Sequence, residues 1–168
     1  AIGWAKNNGT EGFIAQTPVQ SGLSNVSALE VDDFDQDGDN DFHYSDSSIP
    51  GVGVAKNQGS ENFVPQQLGS GNLEISDIEI SDLDEDGNKD ILYASKGSST
   101  IGWMRNNGSD NFLPAETLAS GITAVDQIEV ADLDNDQDLD IVGVSSESSN
   151  RAWLENDGSD NFIPHQLG

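Results

Sequence analysis

Asp82-Leu-Asp84-Glu-Asp86-Gly-Asn88-Lys-Asp90 is one of three nine-residue acidic stretches whose reading decides the fold. The others are Asp33-Phe-Asp35-Gln-Asp37-Gly-Asp39-Asn-Asp41 and Asp132-Leu-Asp134-Asn-Asp136-Gln-Asp138-Leu-Asp140. Carboxylates at positions 1, 3, 5 and 9 crowd four negative charges into one bend, which is strongly repulsive without a cation. Oxygen donors, with no sulfur and almost no nitrogen, point to Ca²⁺ rather than zinc or copper. An EF-hand is excluded: it needs flanking helices and a Glu at position 12, where this chain has Tyr44, Tyr93 and Gly143. In so short a loop, position 9 must close the site, so Asp41, Asp90 and Asp140 are expected as bidentate ligands. Asp33, Asp35 and Asp37, with Asp82, Asp84 and Asp86 and with Asp132, Asp134 and Asp136, supply one carboxylate each. Position 7 (Asp39, Asn88, Asp138) supplies a backbone carbonyl. Gly38 and Gly87 permit the sharp turn at position 6. Gln137 stands there in the third loop, at a cost of about 1 kcal/mol if its φ is positive, which makes that loop the weakest of about three Ca²⁺ sites.

The loops lie in phase with a longer repeat. Phe13, Phe63, Phe112 and Phe162 step by 50, 49 and 50 residues, and the acidic stretches step by 49 and 50. A fixed period of this size marks a solenoid, an array or a propeller. Before each loop, Leu29-Glu-Val31, Ile78-Glu-Ile80 and Ile128-Glu-Val130 alternate as half-buried strands do. After it, Phe42-His-Tyr44, Ile91-Leu-Tyr-Ala94 and Ile141-Val-Gly-Val144 read as strands covered on both faces. A third strand holds Ile2-Gly-Trp4, Val52-Gly-Val54, Ile101-Gly-Trp103 and Ala152-Trp153. Asn-x-Gly turns ending at Gly9, Gly59, Gly108 and Gly158 then lead into a fourth strand opening at each Phe. Pro65, Pro114 and Pro164 suit an exposed edge strand. No segment has a helical period.

Four antiparallel strands per period make a β-propeller blade, so the expected fold is all-β. The chain holds about three and a half blades: a half-blade at 1–22 and blades at 23–71, 72–121 and 122–168. Closed rings typically have four to eight. The expectation is therefore a homo-oligomer or part of a larger propeller.

Composition narrows the partners. The 168 residues carry 31 acidic and six basic side chains, a formal charge of −25 that one Ca²⁺ per loop would bring to −19. Nucleic acid and anionic membrane surfaces are repelled, whereas neutral glycans and cationic or neutral proteins are not. There are no cysteines. No apolar run approaches the ~18 residues of a membrane span, and no basic-then-apolar leader opens the sequence, as a mature or trimmed product would read. Calcium affinities usual for such loops suit an extracellular or cell-surface location. Asn8-Gly-Thr10, Asn25-Val-Ser27 and Asn107-Gly-Ser109 match the glycosylation sequon, but turn chemistry explains two of them better.

The loop sequence running into Ile91, together with Trp103-Met-Arg-Asn-Asn-Gly-Ser-Asp-Asn-Phe112 and its counterparts, resembles the FG-GAP or VCBS repeat family, whose blades also build integrin α-subunit propellers. The resemblance spans essentially the whole chain. It implies that each loop joins the first two strands of a blade and that its five ligand positions match those above. It also implies an extracellular role in adhesion or recognition, or as an accessory module beside a catalytic domain. Gln137 and Val54, the latter where the other repeats have Trp, depart from the pattern, as does the half-blade register.

Other residues read more plainly. Trp4, Trp103 and Trp153 share one repeat position; inter-blade packing suits them better than an exposed sugar-stacking row. His43 replaces Leu92 and Val142 and reads as a core residue. Glu30, Glu79 and Glu129 recur on the first strand, either solvated or ringing a channel. The function expected is a calcium-binding recognition module for protein or carbohydrate, calcium being structural. The alternatives are a self-assembling building block and, more distantly, part of a polysaccharide-degrading enzyme. No nucleophile–base pair emerges from the spacing, so no catalytic residue is assigned.

Overall fold

The computed structural model describes residues 1–69, 74–108, 112–147 and 151–166. The expected boundary at 71–72, residues 109–111 of the turn motif and the last two residues lie outside them. Among the described residues there is no helix, so none is long and apolar enough to cross a membrane. A two-stranded half-blade pairs β1 (Ala5–Asn7) with β2 (Phe13–Ala15). The first full blade runs β3 (Val26–Asp32), β4 (Asp41–Asp46), β5 (Val52–Asn57), β6 (Phe63–Leu68). The second runs β7 (Ile75–Ser81), β8 (Asp90–Ser95), β9 (Thr100–Met104), β10 (Glu116–Ser120). The third runs β11 (Val125–Ala131), β12 (Asp140–Ser145), β13 (Arg151–Asn156), β14 (Phe162–Gln166). In each sheet the strands pair in chain order, antiparallel, as a blade requires. The all-β blade architecture read from the period is the one observed.

The blades stack through their faces. The first strands β3, β7 and β11 pack side by side. Three apolar clusters fill the junctions: Ile2, Val19, Tyr44 and Ala55 beside the half-blade, a second around Val52, Ile78 and Tyr93, and a third around Trp103, Ile128 and Leu154. Second strands are mostly buried because both of their faces lie against such clusters. Where the neighbouring blade is incomplete, the same positions are bare. Leu29 is 46% exposed beside the half-blade, while its repeat equivalents Ile78 and Ile128 are at 0% and 1%. Leu133, on the far face of the third blade, is 45% exposed, against 1% for Phe34 and Leu83.

The Gly of the third-strand motif is explained by a ring. Gly102 pairs with Tyr93, and a Cβ there would lie 2.2 Å from the Tyr93 ring; Gly53 and Tyr44 repeat the arrangement. In the third blade the pair is exchanged for Gly143 and Ala152. The tryptophans pack rather than line up at the surface: Trp4 meets Phe63 edge-on at 6.1 Å, and Trp103 meets Phe162 at 5.9 Å, each across a blade junction.

One strand begins later than the sequence suggests. Phe112 makes only an isolated bridge to Asn106, and Leu113 N–H donates to the Arg105 carbonyl at 2.9 Å. The ladder resumes at Glu116 opposite Trp103, one residue out of step. The extra residue falls at Pro114-Ala115, where proline offers no N–H to bridge the shift.

Each first strand also carries a bulge at one place, between Val26 and Ala28, Ile75 and Asp77, and Val125 and Gln127. The bulged side chains face the next blade: Ser27 Oγ donates to the Ile75 carbonyl at 2.7 Å, and Ser76 Oγ to that of Val125 at 2.7 Å.

Candidate metal centres

Each acidic stretch forms the bend between the first and second strands of its blade. Backbone amides draw the carboxylates inward. Position 6 donates to position 1 in all three loops: Gly38 to Asp33 at 3.1 Å, Gly87 to Asp82 at 3.0 Å and Gln137 to Asp132 at 3.2 Å. Position 7 donates to position 5, from Asp39, Asn88 and Asp138, at 2.8 to 3.0 Å. Gln137 does adopt a positive φ, 83°, beside 96° and 90° for Gly38 and Gly87.

The bends bring positions 1, 3 and 5 together. Asp33, Asp35 and Asp37 each present an oxygen within 4.8 Å of the others, as do Asp82, Asp84 and Asp86, and Asp132, Asp134 and Asp136. Position 9, outside these groups of three, is fully buried: Asp41, Asp90 and Asp140. Both of its oxygens already accept amides. Asp41 takes Asn57 N–H at 2.8 Å and Phe34 N–H at 3.3 Å, and the other two copies repeat the pattern. One lone pair therefore remains on each oxygen. The position 7 side chains turn away, beside the Asn-x-Gly turns: a Cβ on Gly158 would come within 2.6 Å of Asp138 Oδ2. Only their carbonyls are left for the loop.

Asn57, Asn106 and Asn156, which hold position 9, were not singled out from sequence as site residues. Each stands 16 residues after its aspartate although the loops themselves step by 49 and 50, and that constancy was the available signal.

The charge balance is unfavourable. Burial pushes Asp90 up to about 7, with Asp84 adding to the effect, and burial likewise raises Asp41. Asp134 and Asp138 are raised by desolvation and by Asp136 beside them. Lys56 lies 3.4 Å from Asp35 and Arg105 3.5 Å from Asp84. Glu155 occupies the corresponding position in the third blade.

Two oxygens test the fit of a cation. Asp33 Oδ1 and Asp82 Oδ1 are buried and have no hydrogen-bond partner, a costly state for a carboxylate unless a cation meets it. The donor set around them is all oxygen, as Ca²⁺ requires. The third loop differs: Asp132 Oδ1 accepts Asn135 N–H at 2.7 Å.

Away from the loops, Glu30, Glu79 and Glu129 come within electrostatic reach along the packed first strands. Burial, then Glu129 and Glu30, push Glu79 up to about 7. His43 is fully buried with neither ring nitrogen partnered, and burial lowers it to about 4. His165 stacks on Trp153 at 4.6 Å and meets Glu155 at 2.5 Å.

A family model for the FG-GAP-like repeat matches residues 33–93 and 82–143. No curated protein matches the sequence. Among solved structures, the chain is similar to a lectin of Agrocybe aegerita, described as showing specific recognition of non-reducing terminal N-acetylglucosamine. The TM-score is 0.63 at 20% identity over 87% of this chain, which shows a shared fold. The match spans 40% of the lectin's length.

Proposed function

Because the chain belongs to the FG-GAP-like repeat family, we propose that it is an extracellular recognition module, a set of propeller blades stiffened by structural Ca²⁺ that binds carbohydrate or protein and catalyses nothing. Asp33, Asp35, Asp37, Asp41 and the Asp39 carbonyl would hold one ion. Asp82, Asp84, Asp86, Asp90 and the Asn88 carbonyl would hold a second, and Asp132, Asp134, Asp136, Asp140 and the Asp138 carbonyl a third. The observation that carries the calcium reading is the pair of buried, unpartnered oxygens on Asp33 and Asp82. Bound calcium supplies charge neutralisation, tying the first and second strands of a blade together. The likeness of fold to a lectin supports carbohydrate as the ligand class. The sequence units 1–22, 23–71, 72–121 and 122–168 serve as the blades of this proposal.

The test is calorimetry with and without chelator, followed by a glycan array probed in calcium. An unchanged melting temperature in excess chelator removes the structural role; a blank array removes carbohydrate recognition.

Assembly is a second reading, resting on Leu29 and Val31, exposed at 46% and 45% on a face that is covered in the next two blades. Further blades, from a second copy or a larger propeller, would bury them. Native mass measured in calcium decides between assembly and a lone chain.

A further inference from the structure

Two bonds cross from the first acidic loop to the second. Gln36 stands at position 4 of the first loop, between Asp35 and Asp37, and its Nε2 donates to the Gly87 carbonyl of the second at 2.7 Å. Lys89, at position 8 of the second loop, bonds back to Asp32, the residue that precedes Asp33.

The peptide that receives Gln36 is central to the second loop. Gly87 N–H donates to Asp82 at 3.0 Å. The Asn88 N–H, in the same peptide unit as the accepting carbonyl, donates to Asp86 Oδ1 at 2.8 Å. A donor on that carbonyl polarises the unit and strengthens the bond its N–H makes. Gln36 therefore helps to aim the carboxylate at position 5 of its neighbour. Its own placement depends on the first loop: Gln36 holds a φ of 60° between two carboxylates whose mutual repulsion a cation relieves.

The repeat breaks at the next junction. The counterpart of Gln36 is Glu85, which when ionised only accepts and cannot bond the Gln137 carbonyl. Leu139 replaces Lys89 and Ser81 replaces Asp32, so the return bond is lost as well. Arg105 crosses that junction instead, 3.5 Å from Asp84 and 2.8 Å from Asp160. It reaches the Asn-x-Gly turn of the third blade, not the acidic loop.

Ordering the first loop sets Gln36 against Gly87 and so preorganises the second. Calcium binding there then has less ordering left to offset, which is positive cooperativity. Charge alone predicts the reverse. An empty first loop is more negative than a loaded one and would draw calcium to its neighbour more strongly. The two effects have opposite signs and can be told apart.

We propose that Gln36 is a positioning residue for the second loop, so that the first two loops take up calcium cooperatively and the third takes it up alone. The inference rests on the calcium reading above and adds a linkage between two of its sites.

The test titrates the full chain with calcium from a chelated start and follows the backbone amides of Gly38, Gly87 and Gln137, one per loop, by two-dimensional NMR. Gln36→Met keeps the length of the side chain and removes its donor. It is expected to weaken calcium binding at Gly87 about fivefold and to leave the Gln137 response unmoved. Asp35→Asn, which disables the first loop, is expected to weaken Gly87 in the same way; should it unfold, Gln36→Met still decides. An unchanged or tighter Gly87 response in either folded variant overturns the linkage while leaving the calcium sites standing. Equal weakening at Gly87 and Gln137 marks a general loosening and overturns it too. No response to calcium at any of the three amides overturns both the linkage and the calcium reading.

Discussion

Phe34, in the first acidic loop, lies flat against Phe112 of the next blade, with ring centroids 5.6 Å apart and planes 16° from parallel. This stack explains why Val54 can stand where the other repeats have tryptophan. In the second blade the same junction space is filled by Leu83 and Trp103, with Phe162 as neighbour. The first blade exchanges a large loop residue for a small strand residue and keeps the packing full.

Exchanging only one partner should therefore hurt more than exchanging both. Phe34→Leu leaves a void and Val54→Trp overpacks, each costing about 1–3 kcal/mol. The double variant recreates the second junction and should recover much of that loss. Urea unfolding of the four proteins measures the coupling; additive single losses would remove the compensation argument.

The orphaned oxygen of Asp33 gives opposite signs with and without calcium. In excess chelator, Asp33→Asn removes an unpartnered buried charge and should raise the melting temperature. In calcium it removes a ligand and should lower it. A site filled to one hundred times its Kd stabilises by about 2.7 kcal/mol, which sets the scale. Asp132→Asn should show a smaller reversal, because Asp132 Oδ1 already accepts an amide. Scanning calorimetry in both buffers checks the crossing.

Gln137 holds a φ of 83° where its counterparts are glycine. Gln137→Gly relieves strain of about 1–2 kcal/mol, partly offset by the greater freedom of glycine in the unfolded chain. A net gain of about 0.5–1 kcal/mol is expected by denaturant unfolding, together with tighter calcium binding at the third loop.

Two groups, buried His43 and half-buried Glu79, drive stability with pH in opposite directions. His43 is lowered from 6.5 to about 4, so the unfolded state binds the extra proton between these values. Its contribution is full above 6.5 and lost as pH falls toward 4. Glu79 is raised from 4.5 to about 7, so its contribution is full below 4.5 and lost as pH rises through 7. Glu79→Gln should therefore raise the melting temperature at pH 8 and leave it unchanged at pH 4. His43→Leu, which copies Leu92, should remove the loss between pH 6.5 and 4 and add about 1–3 kcal/mol at neutral pH by deleting two orphaned nitrogens. Melting curves across pH 4–8 test both.

The period, the acidic loops and the Asn-x-Gly turns made the blades legible from sequence, because each is a local signal repeated in phase. The late start of β10 was not legible, since one surplus residue at Pro114-Ala115 changes register without changing composition. The clasp between Asp90 and Asn106 was equally hidden: it is a contact between one side chain and one amide, visible only as a constant spacing.

The clasp has a mechanical consequence. Asp41, Asp90 and Asp140 each grip the amide at the end of the third strand, so loop and outer hairpin are lashed together. A tug on that hairpin must break the lashing before the strands can peel apart. Cation-loaded blades would then give way at higher force than chelated ones, and in separate steps, as links in a tether do.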